Sequence, residues 1–329
     1  MFGKLLIRNV PEEILAALST LAHRNDRSVE AEGRFALRSH VQPVLHEEVR
    51  STRLAEVGTR LSALLDQVNQ VRRSTRPLRP SHIAQEIGEE RASEVEDWFI
   101  GRLEPTFSQL AAIAEFLGGS RSWLQHGDGR MFEVGTDRLS EDSGEAVAQL
   151  LNLHQAARPT TVHLVREADE VGRLFIIQQY GEWKCQTWKT PIHVSDHIGA
   201  GGEKALACLS VTLNLLYKYH ASSNGLHVLI RSYQVPSDAC SAILEGSTHP
   251  LGPLEGTAYE CPWWEDFWDE TEFRKDHEYW PGYRALCERI YRVVSLNKSL
   301  NDARDRIDRR NHPLLRGEHA AWENAHASD

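Results

Sequence analysis

The segment Lys4-Leu5-Leu6-Ile7-Arg8-Asn9-Val10 alternates with a period of two, which places Leu5 and Ile7 on one face of a strand and Lys4, Leu6 and Arg8 on the other. At Pro11 the period lengthens. Pro11, Glu12 and Glu13 form a favourable helix start, and Ile14, Leu15, Leu18 and Leu21 predict its buried stripe. After the polar turn Asn25-Asp26-Arg27-Ser28, Ser28 is the expected N-cap of a second helix with Glu30 and Glu32 near its start. No second strand follows within the first forty residues. An edge strand leaves backbone groups unpaired, and the economical partner is the same strand from a second copy, in an antiparallel ribbon.

Further along, Leu54, Val57, Leu61, Leu64, Leu65 and Val68 predict an amphipathic helix over 53–71. A basic stretch broken by Pro77 and Pro80 follows, a loop that is either solvated or set against phosphates. Ser81 is expected to cap a short helix with Ile83, Ala84 and Ile87 inward, ended by Gly88. A second helix holds Val95 and Trp98, and a third opens at Pro105-Thr106 with Leu110, Ile113 and Leu117 inward. The second half predicts a helix near Glu145–Leu153, a hairpin of Thr161–Arg166 and Arg173–Tyr180, and a strand over Trp183–Trp188. It continues with a helix over Glu203–Tyr219, a strand over Leu226–Tyr233 and a long final helix, Tyr283–Asp308. The fold class expected is multidomain: an N-terminal ribbon and two helices over 1–50, an all-α domain over 51–135, an α+β domain with a small antiparallel sheet over 140–310, and a flexible tail over 311–329.

Charge divides this chain unevenly. The net charge is −10, yet residues 1–80 carry +4, residues 81–130 carry −5 and the remainder −9. Only the first quarter has a sign suited to phosphate contact. The five cysteines are scattered without a C-x-x-C pair, which argues against a disulfide framework and for a reducing compartment. MFGKLLIRNVPEE lacks the apolar core of a signal peptide and no run reaches a membrane span, so a cytoplasmic protein without membrane contact is expected.

Ile7-Arg8-Asn9-Val10-Pro11-Glu12, followed by Arg27-Ser28-Val29-Glu30-Ala31-Glu32, resembles the Arc/MetJ-type ribbon–helix–helix repressors, and more closely their FitA-like antitoxin subgroup. The resemblance implies a dimer whose ribbon enters the major groove, with Arg8 the principal base-reading residue and Lys4 and Leu6 beside it. Ser28 and Val29 would anchor phosphate through backbone, and Asn9 and Arg27 complete the candidate set. Gly33 departs from the family, which usually has a larger residue there. Gly88, Val95, Trp98, Gly101 and Pro105, with the closing Trp123–Gly129 segment, resemble the helix-turn-helix of phage-repressor (XRE-type) regulators over roughly 60–130. Here the turn before Val95 is one residue longer than usual. The face of the presumed recognition helix carries Glu89, Glu90, Glu94, Glu96 and Asp97, which favours packing or a partner contact over base reading. Arg91 and Ser93 are its candidate DNA contacts.

Three features of the second half invite chemistry. His193-Val194-Ser195-Asp196-His197 has two imidazoles and a carboxylate, but without a further ligand cluster a polar loop is preferred to zinc. Gly199–Gly202 lacks a phosphate-loop pattern and reads as a hinge. The aromatic run from Tyr259 to Trp280 is either core or a binding cage. In the final helix, Leu286, Ile290, Val293, Leu300 and Ile307 form a possible seam with Asn297 fixing register, or pack on their own domain. No catalytic residue, metal or cofactor is expected. The leading expectation is a dimeric, or higher even-oligomeric, transcriptional repressor on a pseudo-palindromic double-stranded operator, with a small-molecule effector or protein partner held by the C-terminal domain. The alternative is an antitoxin that autoregulates its operon and neutralises a toxin through its acidic half, and the third is an enzyme fused to a DNA-binding head.

Overall fold

The computed structural model describes residue 5 and residues 7–222, 228–256, 258–275 and 277–317, with backbone alone for 42–51. The chain divides into two compact units, one of residues up to Thr59 with Asp97–Glu104, the other of Arg60–Glu96 with Pro105 onward.

The first unit contains α1 (Glu12–Arg24) and the start of α2 (Val29–Val71), a single helix of 43 residues. The boundary expected at residue 50 therefore falls inside continuous helix, where Val44–Thr52 holds neither glycine nor proline to stop it. Pro43 lies within α2 and supplies no backbone N–H, so one i→i−4 hydrogen bond of the helix is missing there. In the same unit, α2 approaches the corner that follows α4 (Ala92–Phe99) at backbone distance. A Cβ on Gly58 would stand 2.9 Å from the Phe99 carbonyl, and Gly101, at φ 70, lies against Leu54. Arg53 closes the corner on Glu104 at 2.7 Å.

In the second unit, Leu61, Leu64 and Val68 of α2 are fully buried, as are Ile83 of α3 (Pro80–Ile87), Val95 of α4, and Leu110, Ile113 and Leu117 of α5 (Phe107–Leu117). Arg79, rather than Ser81, is the N-cap of α3, because Pro80 already occupies the first helical position, and Gly88 ends the helix at φ 81. Thr106 caps α5 through a reciprocal bond pattern with Gln109. The short α6 (Arg121–His126) follows, its Leu124 carbonyl accepting from Arg60 at 3.1 Å.

A six-stranded sheet organises the rest: β1 (Val134–Thr136), β2 (Thr161–Glu167), β3 (Arg173–Tyr180), β4 (Lys184–His193), β5 (Leu229–Val235) and β6 (Tyr259–Glu260), in the order β1-β4-β3-β2-β5-β6. The expected small antiparallel sheet is corrected here. The pairs β1/β4 and β2/β5 are parallel, because α7 (Ser143–Leu151) and α8 (Ala200–His220) lie on crossovers that return the chain in the same direction. Val162, Leu164, Leu174 and Ile176 face α7, α8 and α13 (Tyr283–Leu296). Val165, Phe175, Ile177 and Val235 face α9 (Ser237–Leu244) and α10 (Gly252–Gly256). With both faces covered, every residue of β2 is buried. Arg166 ties this sheet together, donating to the carbonyls of Val194 at 2.8 Å and Asp169 at 3.0 Å and lying 4.1 Å over the Trp280 ring.

The aromatic run resolves mainly into core. Trp263 and Trp264 of α11 (Trp263–Asp266), Phe267, Phe273 of α12 (Glu270–Phe273) and Trp280 are buried, whereas Tyr259 is exposed. The expected single helix over Tyr283–Asp308 is two, because Asn297 at φ −89, ψ 107 leaves the helical region and caps α14 (Lys298–Asp308) by accepting from Leu300 at 3.2 Å. Asn297 is thus a cap rather than a seam residue. His193 to His197 join β4 to α8, with the buried Ser195 hydroxyl accepting from the His197 N–H at 3.0 Å. Gly199 is the N-cap of α8. Residues 311–317 include a short turn of helix in which Leu314 is buried, so that part of the expected flexible tail is packed. The rest, residues 318–329, and the expected strand start at Leu226 lie outside the described residues.

Two buried histidines set a pH dependence. His163 on β2, bonded to Gln179 at 3.0 Å, and His249, bonded to the Trp183 carbonyl at 3.0 Å, are pushed down from 6.5 to about 4 by burial. Both stay neutral in the fold while the unfolded chain takes up protons below pH 6.5, so their stabilisation is complete above that pH and is lost as pH falls toward 4. Urea unfolding is expected to show about 2 kcal/mol less stability per histidine at pH 5 than at pH 7. A His249→Gln variant should flatten that slope, and an unchanged slope would contradict the assignment.

Candidate nucleic-acid interface

Leu5 and Ile7–Val10 lead into α1 without forming a strand, and Asn9 sits in the left-handed region at φ 59. Among the described residues of the expected strand over 4–10, none is in a strand, as follows if the hydrogen-bond partner belongs to a second copy. Lys4 and Leu6 lie outside the described residues. Arg8 and Asn9 are exposed, and Arg8 makes no ion pair among the described residues.

Pro11 caps α1, with Glu12 and Glu13 in its first turn and His23 and Arg24 in its last, in accord with the helix dipole. The chain reverses through Asp26 at φ 54, where the Arg27 N–H returns to the Ala22 carbonyl at 2.8 Å. Ser28 then caps α2: its hydroxyl accepts from the Ala31 N–H at 3.1 Å. Arg27, Ser28 and Val29 are brought together, exposed, at the N-terminus of that helix, where free N–H groups and the dipole favour an anion. A carboxylate that the sequence marks as part of a helix start and of the Arg27–Glu32 motif holds this corner. Glu32, 4% exposed, accepts from Asn25 Nδ2 at 2.9 Å and from Arg27 Nη1 at 3.2 Å, while the Arg27 guanidinium lies over Phe35. The signal available was the spacing of Asn25, Arg27 and Glu32 across the turn.

The stripe expected to be buried is not. Leu5 is 72% exposed, Ile7 57%, Ile14 55%, Leu15 44% and Leu21 47%. Phe35, Leu37 and Val41 of α2 are also exposed. Two helices and a short leader do not enclose these side chains, and exposed apolar side chains in this number on so small a segment point to an interface. Nor is a close approach required at Gly33 within one chain, since a Cβ there would meet Leu18 at an ordinary 3.7 Å.

Arg91 and Ser93 belong to the second unit, exposed at the start of α4 beside exposed Glu90, Glu94 and Glu96. Glu89 is engaged by Gln109 at 2.7 Å. In the basic loop, Glu182 accepts from the backbone N–H groups of Arg73 and Ser74 and pairs with Arg72, which stacks on Trp183, so Arg72 is committed within the protein while Arg73, Arg76 and Arg79 remain exposed. Among the described residues, no group of three or more histidine, cysteine or acidic side chains is placed to hold a metal ion, and no helix is long and apolar enough to cross a membrane.

Residues 4–41 match the family described as antitoxin FitA-like, ribbon-helix-helix. No curated protein and no solved structure matches the chain. The N-terminal segment is a ribbon–helix–helix domain, an architecture that implies DNA binding and dimerisation.

Removing the Glu32 carboxylate should loosen the α1–α2 corner. In a Glu32→Ala variant, amide exchange across Arg27–Gly33 is expected to accelerate by on the order of tenfold or more, from the loss of two hydrogen bonds to a buried charge. Unchanged exchange would show that the corner holds without it.

Proposed function

We propose that the protein is a dimeric, sequence-specific DNA-binding regulator, acting as a repressor, whose N-terminal ribbon reads the major groove. The observation that carries this reading is the apolar stripe of α1, exposed in the single chain, beside a leader segment that pairs with no strand among the described residues. A second copy satisfies both needs, turning Leu5 and Ile7 inward and Lys4, Leu6 and Arg8 toward base edges. Arg27, Ser28 and Val29 at the start of α2 then anchor phosphate, with Asn9 beside Arg8. Two-fold symmetry makes the operator a pseudo-palindrome. In this reading Arg91 and Ser93 are at most supporting contacts, because the acids around them oppose phosphate. The helical region with XRE-like spacing serves packing or partner contact. The C-terminal domain holds an effector or a protein partner, and the protein works by binding rather than catalysis.

The FitA-like match favours a second reading, an antitoxin that represses its own operon and neutralises a toxin through the acidic C-terminal half. Such a half suits occlusion of an enzyme that itself binds nucleic acid. Co-purification of a small toxin with the native protein separates this reading from the first.

Arg8→Ala is expected to lower specific operator affinity by on the order of tenfold or more while leaving salt-sensitive non-specific binding nearly intact. Equal loss at every sequence would make Arg8 a phosphate contact instead. Ile14→Glu, placed on the exposed stripe, should convert dimer to monomer in sedimentation equilibrium, and a dimer of unchanged strength would contradict this placement of the interface.

A further inference from the structure

A cleft of about 570 Å³ opens in the second unit where the parallel strands β2 and β5 reach their carboxyl ends. Open α/β sheets hold small ligands at that end of their strands, and the volume suits one. Arg166 of β2 and Gln234 of β5 are partners in the strand register, so they lie side by side on one face of the sheet. Both line the cleft and both are buried, Arg166 at 3% exposure and Gln234 at 9%. Residues 168–170 after β2, residues 196–197 after β4 and residues 279–282 before α13 complete its walls.

Each of these two buried groups has capacity left over. The Arg166 guanidinium carries five N–H donors and spends three, on the carbonyls of Val194 at 2.8 Å, Glu167 at 2.9 Å and Asp169 at 3.0 Å. Nη1 and Nη2 keep one N–H each, and Arg166 makes no ion pair among the described residues. Burial pulls it down from 12.5 to about 10, so it remains a cation at neutral pH. A buried cation bonded only to neutral carbonyls favours an incoming carboxylate, which accepts charge-assisted hydrogen bonds. Gln234 spends its amide donors on the Tyr279 carbonyl at 2.7 Å and the Cys261 sulfur at 3.8 Å and keeps its carbonyl oxygen. The rim is acidic. Asp196 is committed there: a Cβ on Gly282, the N-cap of α13, would stand 3.0 Å from its Oδ2, and His197 lies 3.9 Å from its Oδ1. Asp169 accepts from the Gly172 N–H through Oδ1 at 2.7 Å and keeps Oδ2, and the exposed Glu170 makes no ion pair among the described residues. A cation at the floor with free acceptors around it matches a molecule that carries both charges close together.

We propose that this cleft binds a free amino acid, with its carboxylate on Arg166 and its ammonium group among Gln234, Asp169 and Glu170. The proposal rests on reading the C-terminal domain as the part that holds an effector, and it names the class of that effector and its place. Neither charge suffices alone: a plain amine would meet the buried guanidinium, and a plain carboxylate would meet the acidic rim. The cleft is larger than the two charged groups require, which leaves room for a side chain beside Tyr279 and Trp280. An occupant would tie the ends of β2 and β5 to the start of α13, through groups that the protein itself leaves unbonded.

The test is equilibrium dialysis of the full-length protein, without DNA, against each of the twenty standard amino acids. At least one is expected to bind saturably at one site per chain. The amine that lacks its carboxylate and the acid that lacks its amino group should each bind about tenfold more weakly or worse. Glu170→Gln removes one rim charge and keeps the backbone carbonyl that accepts from Ser195, so the fold should be unaffected while affinity falls on the order of threefold. Gln234→Met removes the free carbonyl oxygen at similar length and should weaken binding by about tenfold, with its unfolding midpoint read alongside. No saturable binding by any amino acid at millimolar concentration would overturn the proposal. So would equal binding of the amine or the acid, or affinity that both variants leave unaltered. Uptake of an amino acid that leaves operator affinity unmoved would uphold the site and refute only the effector reading.

Discussion

Apolar surface that a single chain cannot bury is the constraint on which the N-terminal architecture depends. Leu5, Ile7, Ile14, Leu15 and Leu21 lie open, the leader pairs with no strand among the described residues, and the α1–α2 corner is already made by the Ser28 cap and the buried Glu32 clamp. The corner sets the angle between the helices, and the uncovered stripe calls for a second copy. Arg8 and Asn9 stand immediately before α1, so pairing of two leaders would order them and present their outer face together.

Electrostatics separates the regions in the same direction. The positive balance is confined to residues 1–80, and within that quarter Arg72 is already committed to Glu182 and Trp183. The start of α4, where a helix-turn-helix reading would look for base contacts, offers Arg91 and Ser93 among exposed Glu90, Glu94 and Glu96. Such a surface disfavours phosphate and suits a basic protein surface or simple solvation.

Much of the helical part was legible in the sequence because its signals are local. Ser28, Gly88 and Thr106 act through neighbours three or four residues away, and the structure has helices starting or ending at each. Two of the features that escaped show why: one is non-local and the other turns on a single residue. Strand direction was hidden because the residues of β2 do not encode which strand lies beside it, and parallel pairing with β5 is set by a crossover about sixty residues long. The division of the last helix turns on one backbone conformation at Asn297, a residue tolerated inside helices and favoured at their caps.

The chain thus combines an N-terminal ribbon–helix–helix domain, an architecture that implies DNA binding, with a larger half built on a mixed sheet covered by helices. The most direct measurement is selection from a random duplex pool by full-length protein, compared with protein lacking the leader before Pro11. The account predicts that the intact protein recovers a pseudo-palindromic sequence and that the shortened protein recovers none. Recovery of the same sequence by both would place base reading outside the ribbon and contradict the account.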